Sequence, residues 1–143
     1  VIDTETTGLN PYDDELLQVS IIDGQGNTLF NSYIKPLYTD NWNKAMAVNH
    51  ITPETVATAP NILEVKQEIS RIINSAHTII GYNVDFDLGF LSNIGIKNEN
   101  AAIVDVIYTE NGASNMAVTN GKDSLNVQNI TDMIGEQTLL TIV

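Results

Sequence analysis

The chain opens with VIDTETTGL, an apolar β-type run that carries Asp3 and Glu5 two residues apart and is broken by Gly8. Side chains alternate faces along a strand, so residues i and i+2 point the same way. Two carboxylates on one strand face repel each other and resist burial unless a cation sits between them. The segment therefore reads as a divalent-metal site at a strand edge.

The remaining sequence bounds what can surround such a site. At 143 residues the chain has one domain's length, and its 43% apolar content fits a globular protein with a sizeable core. No apolar stretch approaches the roughly 18 residues of a membrane span, and no signal-peptide pattern opens the chain. It begins at Val1, inside the opening strand, so a few upstream residues are expected to complete that strand. The absence of cysteine excludes disulfides, thiolate metal sites and a Cys nucleophile, and is compatible with the cytoplasmic location expected here. The net charge is −12, from 18 acidic and 6 basic residues. That balance alone argues against a nucleic-acid binder, which normally carries a basic footprint. Carboxylates that hold divalent ions invert the local field, however, and an enzyme gripping only a strand end needs few phosphate contacts.

Periodicity places further elements. Leu16 to Asp23 reads as a strand, Gly24-Gln25-Gly26-Asn27 as a hairpin turn, and Thr28 to Lys35 as the partner strand, giving an antiparallel meander with the opening strand. Tyr38 to Asn49 reads as a polar loop carrying Trp42. Thr52-Pro53-Glu54 opens a short helix. Asn61 to Asn74 has apolar residues at 62, 65, 69, 72 and 73, which is helical spacing, with Asn61 as its cap. Thr78 to Gly81 is a short buried strand, Asp85 to Ile94 a helix, and Ala102 to Val106 another strand. Tyr108 to Lys122 reads as a loop, and Ser124 to Leu140 as a final helix. Strands first, then alternating helices and strands, predict a mixed α/β sheet with helices on its faces.

A second acidic motif lies at 81–91, GYNVDFDLGFL. Asn83 or Asp85 suits a helix cap, Phe86 and Phe90 share a helical face, and Asp87 lies on another face of the same turn. Together, VIDTETTGL, NHITPETVATAP at 49–60 and GYNVDFDLGFL resemble the DEDD superfamily of 3′→5′ exonucleases, in the branch of proofreading epsilon subunits and ribonuclease T. The resemblance covers roughly residues 1–110. It implies a ribonuclease H-like mixed sheet of about five strands flanked by helices. It implies that Asp3, Glu5 and Asp87 hold two Mg²⁺ or Mn²⁺ ions, roughly 3.5–4 Å apart, that clamp the scissile phosphate. Hard oxygen ligands suit those ions better than zinc. Thr6, Thr7, Gly8 and Leu9 would cradle the terminal nucleotide. His50 and Ile51 would lie near its base or sugar, and Tyr82 and Asn83 would line the groove. His77 reads as structural.

The superfamily pattern also asks for a fourth carboxylate on the last helix, and this branch for a His five residues before it, the general base for the attacking water. Neither histidine lies downstream of Asp87. Two frames compete. VQNITD at 127–132 would supply Asp132 as fourth ligand, with Val127 at the His position; KDSLN at 122–126 would put Lys122 there. The first is preferred because it completes the carboxylate set. Asp105 ends a strand, but in the family that position is not a ligand. The expected function is a metal-dependent 3′→5′ exonuclease acting on single-stranded or frayed DNA or RNA ends, with a DNA polymerase as candidate partner and no membrane. The alternative is an impaired exonuclease-fold module that binds strand ends or a polymerase. A Walker-type nucleotide binder is disfavoured, since no Gly-x-x-x-x-Gly-Lys-Ser/Thr occurs.

Overall fold

The computed structural model describes residues 1–108 and the strand at 114–119. The expected meander forms: β1 (Ile2–Thr6), β2 (Leu16–Ile22) and β3 (Thr28–Tyr33) pair antiparallel in the order β1-β2-β3. The β2–β3 turn is held by Asp23, whose Oδ1 accepts the N–H groups of Gln25 and Asn27, both at 2.9 Å. Gly26 takes the left-handed φ of 84° that this turn needs.

Next come α1 (Asn43–Asn49), α2 (Pro53–Val56) and α3 (Ile62–Ser75). Helix α1 corrects the loop expected over 38–49. The polar residues of that stretch obscured a local run of good helix formers, Ala45-Met46-Ala47. Thr52 caps α2 and Asn61 caps α3 as expected, each within a reciprocal capping box. The apolar stripe of α3 turns inward, with Ile62, Ile69 and Ile73 buried and Val65 and Ile72 packed against the same core.

The chain then forms β4 (Thr78–Gly81), α4 (Val84–Asn93), β5 (Ala102–Tyr108) and β6 (Ser114–Thr119). Strands β4 and β5 run parallel, which requires the α4 crossover between them. Strand β6 pairs antiparallel with β5, so the loop expected over 108–122 contains a strand. Its Asn- and Ser-containing sequence carries little β signal of its own; the pairing offered by β5 decides its conformation. The final helix expected over 124–140 lies outside the described residues.

The hydrogen-bonded ladders form two three-stranded sheets, β1-β2-β3 and β4-β5-β6, rather than one unbroken sheet. They meet where β4 lies against β1: a Cβ at Gly81 would stand 3.1 Å from the Ile2 carbonyl oxygen and 3.0 Å from the Val84 side chain. The main core fills the space between the meander and the helices, with Ile2, Val19 and Ile21 packing on Ile69, Val84 and Leu91. A second cluster joins Leu17, Trp42, Ile51 and Val56, and the Trp42 indole N–H donates to the Ile51 carbonyl at 2.7 Å.

One loop is organised by a carboxylate. Glu15 accepts the consecutive backbone N–H groups of Leu37, Tyr38 and Thr39 at 2.6, 3.0 and 2.7 Å. Partial burial raises its pKa, but these bonds to the ionised form outweigh it and the net shift is downward. The depressed value means that its contribution to stability is full above the ordinary glutamate range and is lost as pH falls through the folded-state value. Glu15→Gln is expected to cost about 1–3 kcal/mol at neutral pH. The difference in urea midpoint between variant and wild type should shrink in acid; a difference independent of pH would show that the charge does not hold the loop.

Candidate active site

Strand β1 alternates as its sequence dictates. Ile2, Thr4 and Thr6 are buried, while Asp3 is exposed and Glu5 half-buried on the other face. A register shift lies between Glu5, opposite Gln18, and Thr6, opposite Leu16. Such bulges increase local twist and re-aim side chains, and this one falls where the carboxylate pair ends.

Asp87 comes from the first turn of α4. The helix begins after Asn83, which has a left-handed φ of 53° and makes no side-chain cap bond. The cap expected of Asn83 or Asp85 is supplied instead from β5: Asp105 Oδ1 accepts the Val84 N–H at 3.3 Å. This gives Asp105 a positioning role in the strand-to-helix turn. Asp87 is buried, 3% exposed, and its Oδ1 accepts the Thr4 hydroxyl at 2.5 Å. The two acidic motifs are thus joined through the residue between Asp3 and Glu5. Phe86 and Phe90 stack at a tilt, ring centroids 5.0 Å apart, with Phe90 in the core and Phe86 half-buried beside the groove.

The electrostatics follow mainly from desolvation. The surface of Asp3 is open, yet desolvation by surrounding protein raises its carboxyl above the usual range. Desolvation raises Glu5, the Asp3 charge adds to it, and a hydrogen bond from Asn49 opposes both. Burial lifts Asp87 to about 7; the Thr4 hydroxyl pulls it down and the Asp3 charge pushes it up. Each carboxylate is therefore less willing to ionise than in water, the condition that a cation relieves. Among the described residues, no three His, Asp or Glu side chains stand close enough together to cage an ion. Asp87 meets β1 at Thr4, on the face opposite Asp3 and Glu5.

Beyond Glu5 the chain builds a groove of about 590 Å³, with Thr4, Glu5, Thr6 and Phe86 among its lining residues and Leu9 and Val48 at its rim. The expected Thr6–Leu9 cradle borders it. The Thr6 hydroxyl donates to the Gly8 carbonyl at 2.6 Å, and the Thr7 N–H to the Glu15 carbonyl at 2.8 Å. A Cβ at Gly8 would overlap the Asp14 carboxylate, which is fixed by the Asn10 N–H at 3.0 Å and the Thr7 hydroxyl at 3.2 Å. Leu9 projects outward, 85% exposed.

The remaining expected substrate residues lie apart from this wall. His50 caps the C-terminus of α1, exposed, with a left-handed φ of 59°, and does not line the groove. Ile51 is packed into the second core cluster. Tyr82 and Asn83 are exposed at the turn into α4. Asp132 and the alternative Lys122 lie outside the described residues. Sequence reasoning missed Asn49, whose Nδ2 donates to the Thr6 carbonyl at 3.2 Å while its Oδ1 accepts the Ile51 N–H at 3.1 Å. Nothing in its local sequence marks a contact 43 residues away.

Comparison with known proteins fits this arrangement. A family model described as exonuclease, of the RNase T type, matches residues 1–114. The chain belongs to this exonuclease family, within the DEDD superfamily. It is 32% identical over 119 residues to the DNA polymerase III epsilon subunit of Haemophilus influenzae, over 73% of this chain and 46% of that protein. A protein of Escherichia phage 186 named an uncharacterized exonuclease is 31% identical over 121 residues, 76% of this chain and 61% of its own length. E. coli exonuclease I in complex with a 5cy-dT13 oligonucleotide matches with a TM-score of 0.64 at 19% identity, over 98% of this chain and 39% of that one. That likeness is one of fold, and the fold is the expected ribonuclease H-like mixed α/β architecture. The chain spans less than two thirds of each of these relatives.

The raised Asp87 value carries a stability signature. In metal-free buffer its contribution is full below the unfolded carboxylate range and is lost as pH rises through about 7. Asp87→Asn, which cannot ionise, should melt higher than wild type above pH 7 in EDTA, the advantage fading towards pH 4. Parallel melting curves across that range would show that Asp87 ionises freely in the fold.

Proposed function

We propose that this chain is a metal-dependent 3′→5′ exonuclease that hydrolyses terminal phosphodiester bonds of single-stranded or frayed DNA or RNA. The observation that carries the reading is the bond from the hydroxyl of Thr4, the residue between Asp3 and Glu5, to Asp87 of α4, which ties the two acidic segments together beside an open groove, with all three carboxyl pKa values raised. The donor set fits the implied metals: it offers only hard carboxylate oxygens, which suit Mg²⁺ or Mn²⁺. Asp3, Glu5 and Asp87, with Asp132 as fourth ligand, would hold two such ions. Ions held there supply Lewis acidity to the scissile phosphate and lower the pKa of the attacking water.

The residues of this chain do the positioning. The Thr4 hydroxyl fixes one Asp87 oxygen, and Asn49 supports Glu5. The braced turn of Thr6 to Gly8 offers a rigid wall to the terminal nucleotide, and Leu9 an apolar surface for its base. Likeness to the H. influenzae epsilon subunit favours a DNA polymerase as partner. One observation favours the second reading, a slow or non-catalytic module that binds strand ends: between Asp87 and Val143 there is no histidine to match the branch's general base. Loss of a positioned base typically costs about 10²–10⁴-fold in rate.

A 5′-labelled single-stranded oligonucleotide, incubated with Mn²⁺ and then Mg²⁺, should give a ladder shortening from its 3′ end, slow in wild type and absent in Asp3→Ala. Mn²⁺ should also raise the melting temperature of wild type and not of Asp3→Ala. Metal stabilisation and oligonucleotide binding without shortening would select the binding module. Identical behaviour of wild type and Asp3→Ala in both measurements would remove the metal site altogether.

A further inference from the structure

The nuclease reading leaves an electrostatic problem. A nucleic-acid strand carries one negative charge per phosphate, and this chain carries −12. Metal ions at Asp3, Glu5 and Asp87 would serve the reacting phosphate. Phosphates further along the strand still face a groove bordered by Asp14 and by the excess acid of the surface. A cation in the groove wall is needed if the strand is to be held there.

The six basic residues are Lys35, Lys44, Lys66, Arg71, Lys97 and Lys122. Of the five within the described residues, Lys44 alone lines the groove beside Glu5. Lys66 and Arg71 line a separate hollow along α3, and Lys35 borders another near Pro36 and Tyr38. Lys44 is exposed, on the first turn of α1. It stands one helical turn from Val48, which is 81% exposed and also lines the groove. Residues four apart on a helix are neighbours, about 5–6 Å between Cβ atoms. Helix α1 therefore presents to the groove a charged residue and an apolar one, side by side. Met46, and Ala45 at the groove's edge, pack on the second core cluster and fix which face is offered. Asn49, at the end of the same helix, anchors it to the carbonyl of Thr6 in the catalytic strand.

We propose that Lys44 ion-pairs a non-reacting backbone phosphate of the substrate strand, and so supplies the electrostatic grip that an otherwise acidic nuclease lacks. The assignment rests on the nuclease reading for the identity of its ligand. A phosphate contact carries no base information, so it acts equally on all sequences and makes binding salt-dependent.

The test compares wild type, Lys44→Ala and Lys44→Arg on 5′-fluorescein-labelled oligothymidylate and oligodeoxyadenylate over a salt series. Cleavage is followed with Mn²⁺, and binding by anisotropy with Ca²⁺. Lys44→Ala should raise KM and Kd several-fold at low salt, equally for both sequences, with kcat changed far less. The slope of log affinity against log salt should fall by about 0.7, the loss of one phosphate contact on a single strand. Lys44→Arg should restore most of both, since it keeps the charge. Lys44 is exposed, so a melting curve matching wild type is expected and confirms that the effect is local. Wild-type cleavage or binding with a salt slope unchanged in Lys44→Ala overturns the assignment and leaves the nuclease reading intact. Binding without cleavage overturns the nuclease reading, while the anisotropy slope still decides the lysine. A wild type that neither cuts nor binds removes both.

Discussion

The bond from the Thr4 hydroxyl to Asp87 is the contact on which the site depends. Strand β1 belongs to one hydrogen-bonded ladder and β4 to another, so no shared ladder fixes α4, which follows β4, against β1. Packing around Gly81 brings the two strands together, and the 2.5 Å bond then ties a buried carboxylate to the strand. A hydrogen bond to a charged group contributes about 1.5–3 kcal/mol, and leaving such a carboxylate without a donor costs more. Thr4 is the residue between Asp3 and Glu5, so it is the strand's alternation that allows one short segment to present two carboxylates on one face and grip a third from the other.

That arrangement sets stability against chemistry. Desolvation raises the carboxyl pKa of Asp3, Glu5 and Asp87, and the Asp3 charge adds to the last two, so the fold gives up stability where these groups ionise. The compensation is visible elsewhere. Glu15 has a lowered pKa because three backbone amides converge on it, and it organises the loop that follows β3. Asp105 closes the N-terminus of α4 from a neighbouring strand. A carboxylate thus stabilises where donors converge and destabilises where they are scarce.

Much of this was legible in the chain. The Asp3-x-Glu5 spacing, the hairpin at Gly26, the caps at Thr52 and Asn61 and the α3 stripe are local patterns, and each formed where its pattern fell. What escaped was set by tertiary contact. Helix α1 has no fully buried residue; its Ala45 and Met46 pack on the second core cluster, into which Trp42 before it and Ile51 after it are both drawn. Strand β6 is paired by β5 rather than specified by its own residues. The sequence points to Asn83 or Asp85 as the cap of α4 because caps are usually local, whereas the acceptor comes from Asp105, 21 residues beyond Val84. Ile51 is packed in the second core cluster, its N–H bonded to the Asn49 side chain.

Helix α1 shows how a weakly encoded element acquires a function. Its fixed point is Asn49, which bonds the Thr6 carbonyl, supports Glu5 and turns the backbone at Ile51. Through that side chain α1 is tied directly to β1. The helix is short enough to lack stability of its own. Its position is therefore set by the second core cluster on one side and by β1 on the other. A groove wall built in this way is held in register with β1, so the face carrying Lys44 and Val48 stays aligned with the end of the strand that bears Asp3 and Glu5.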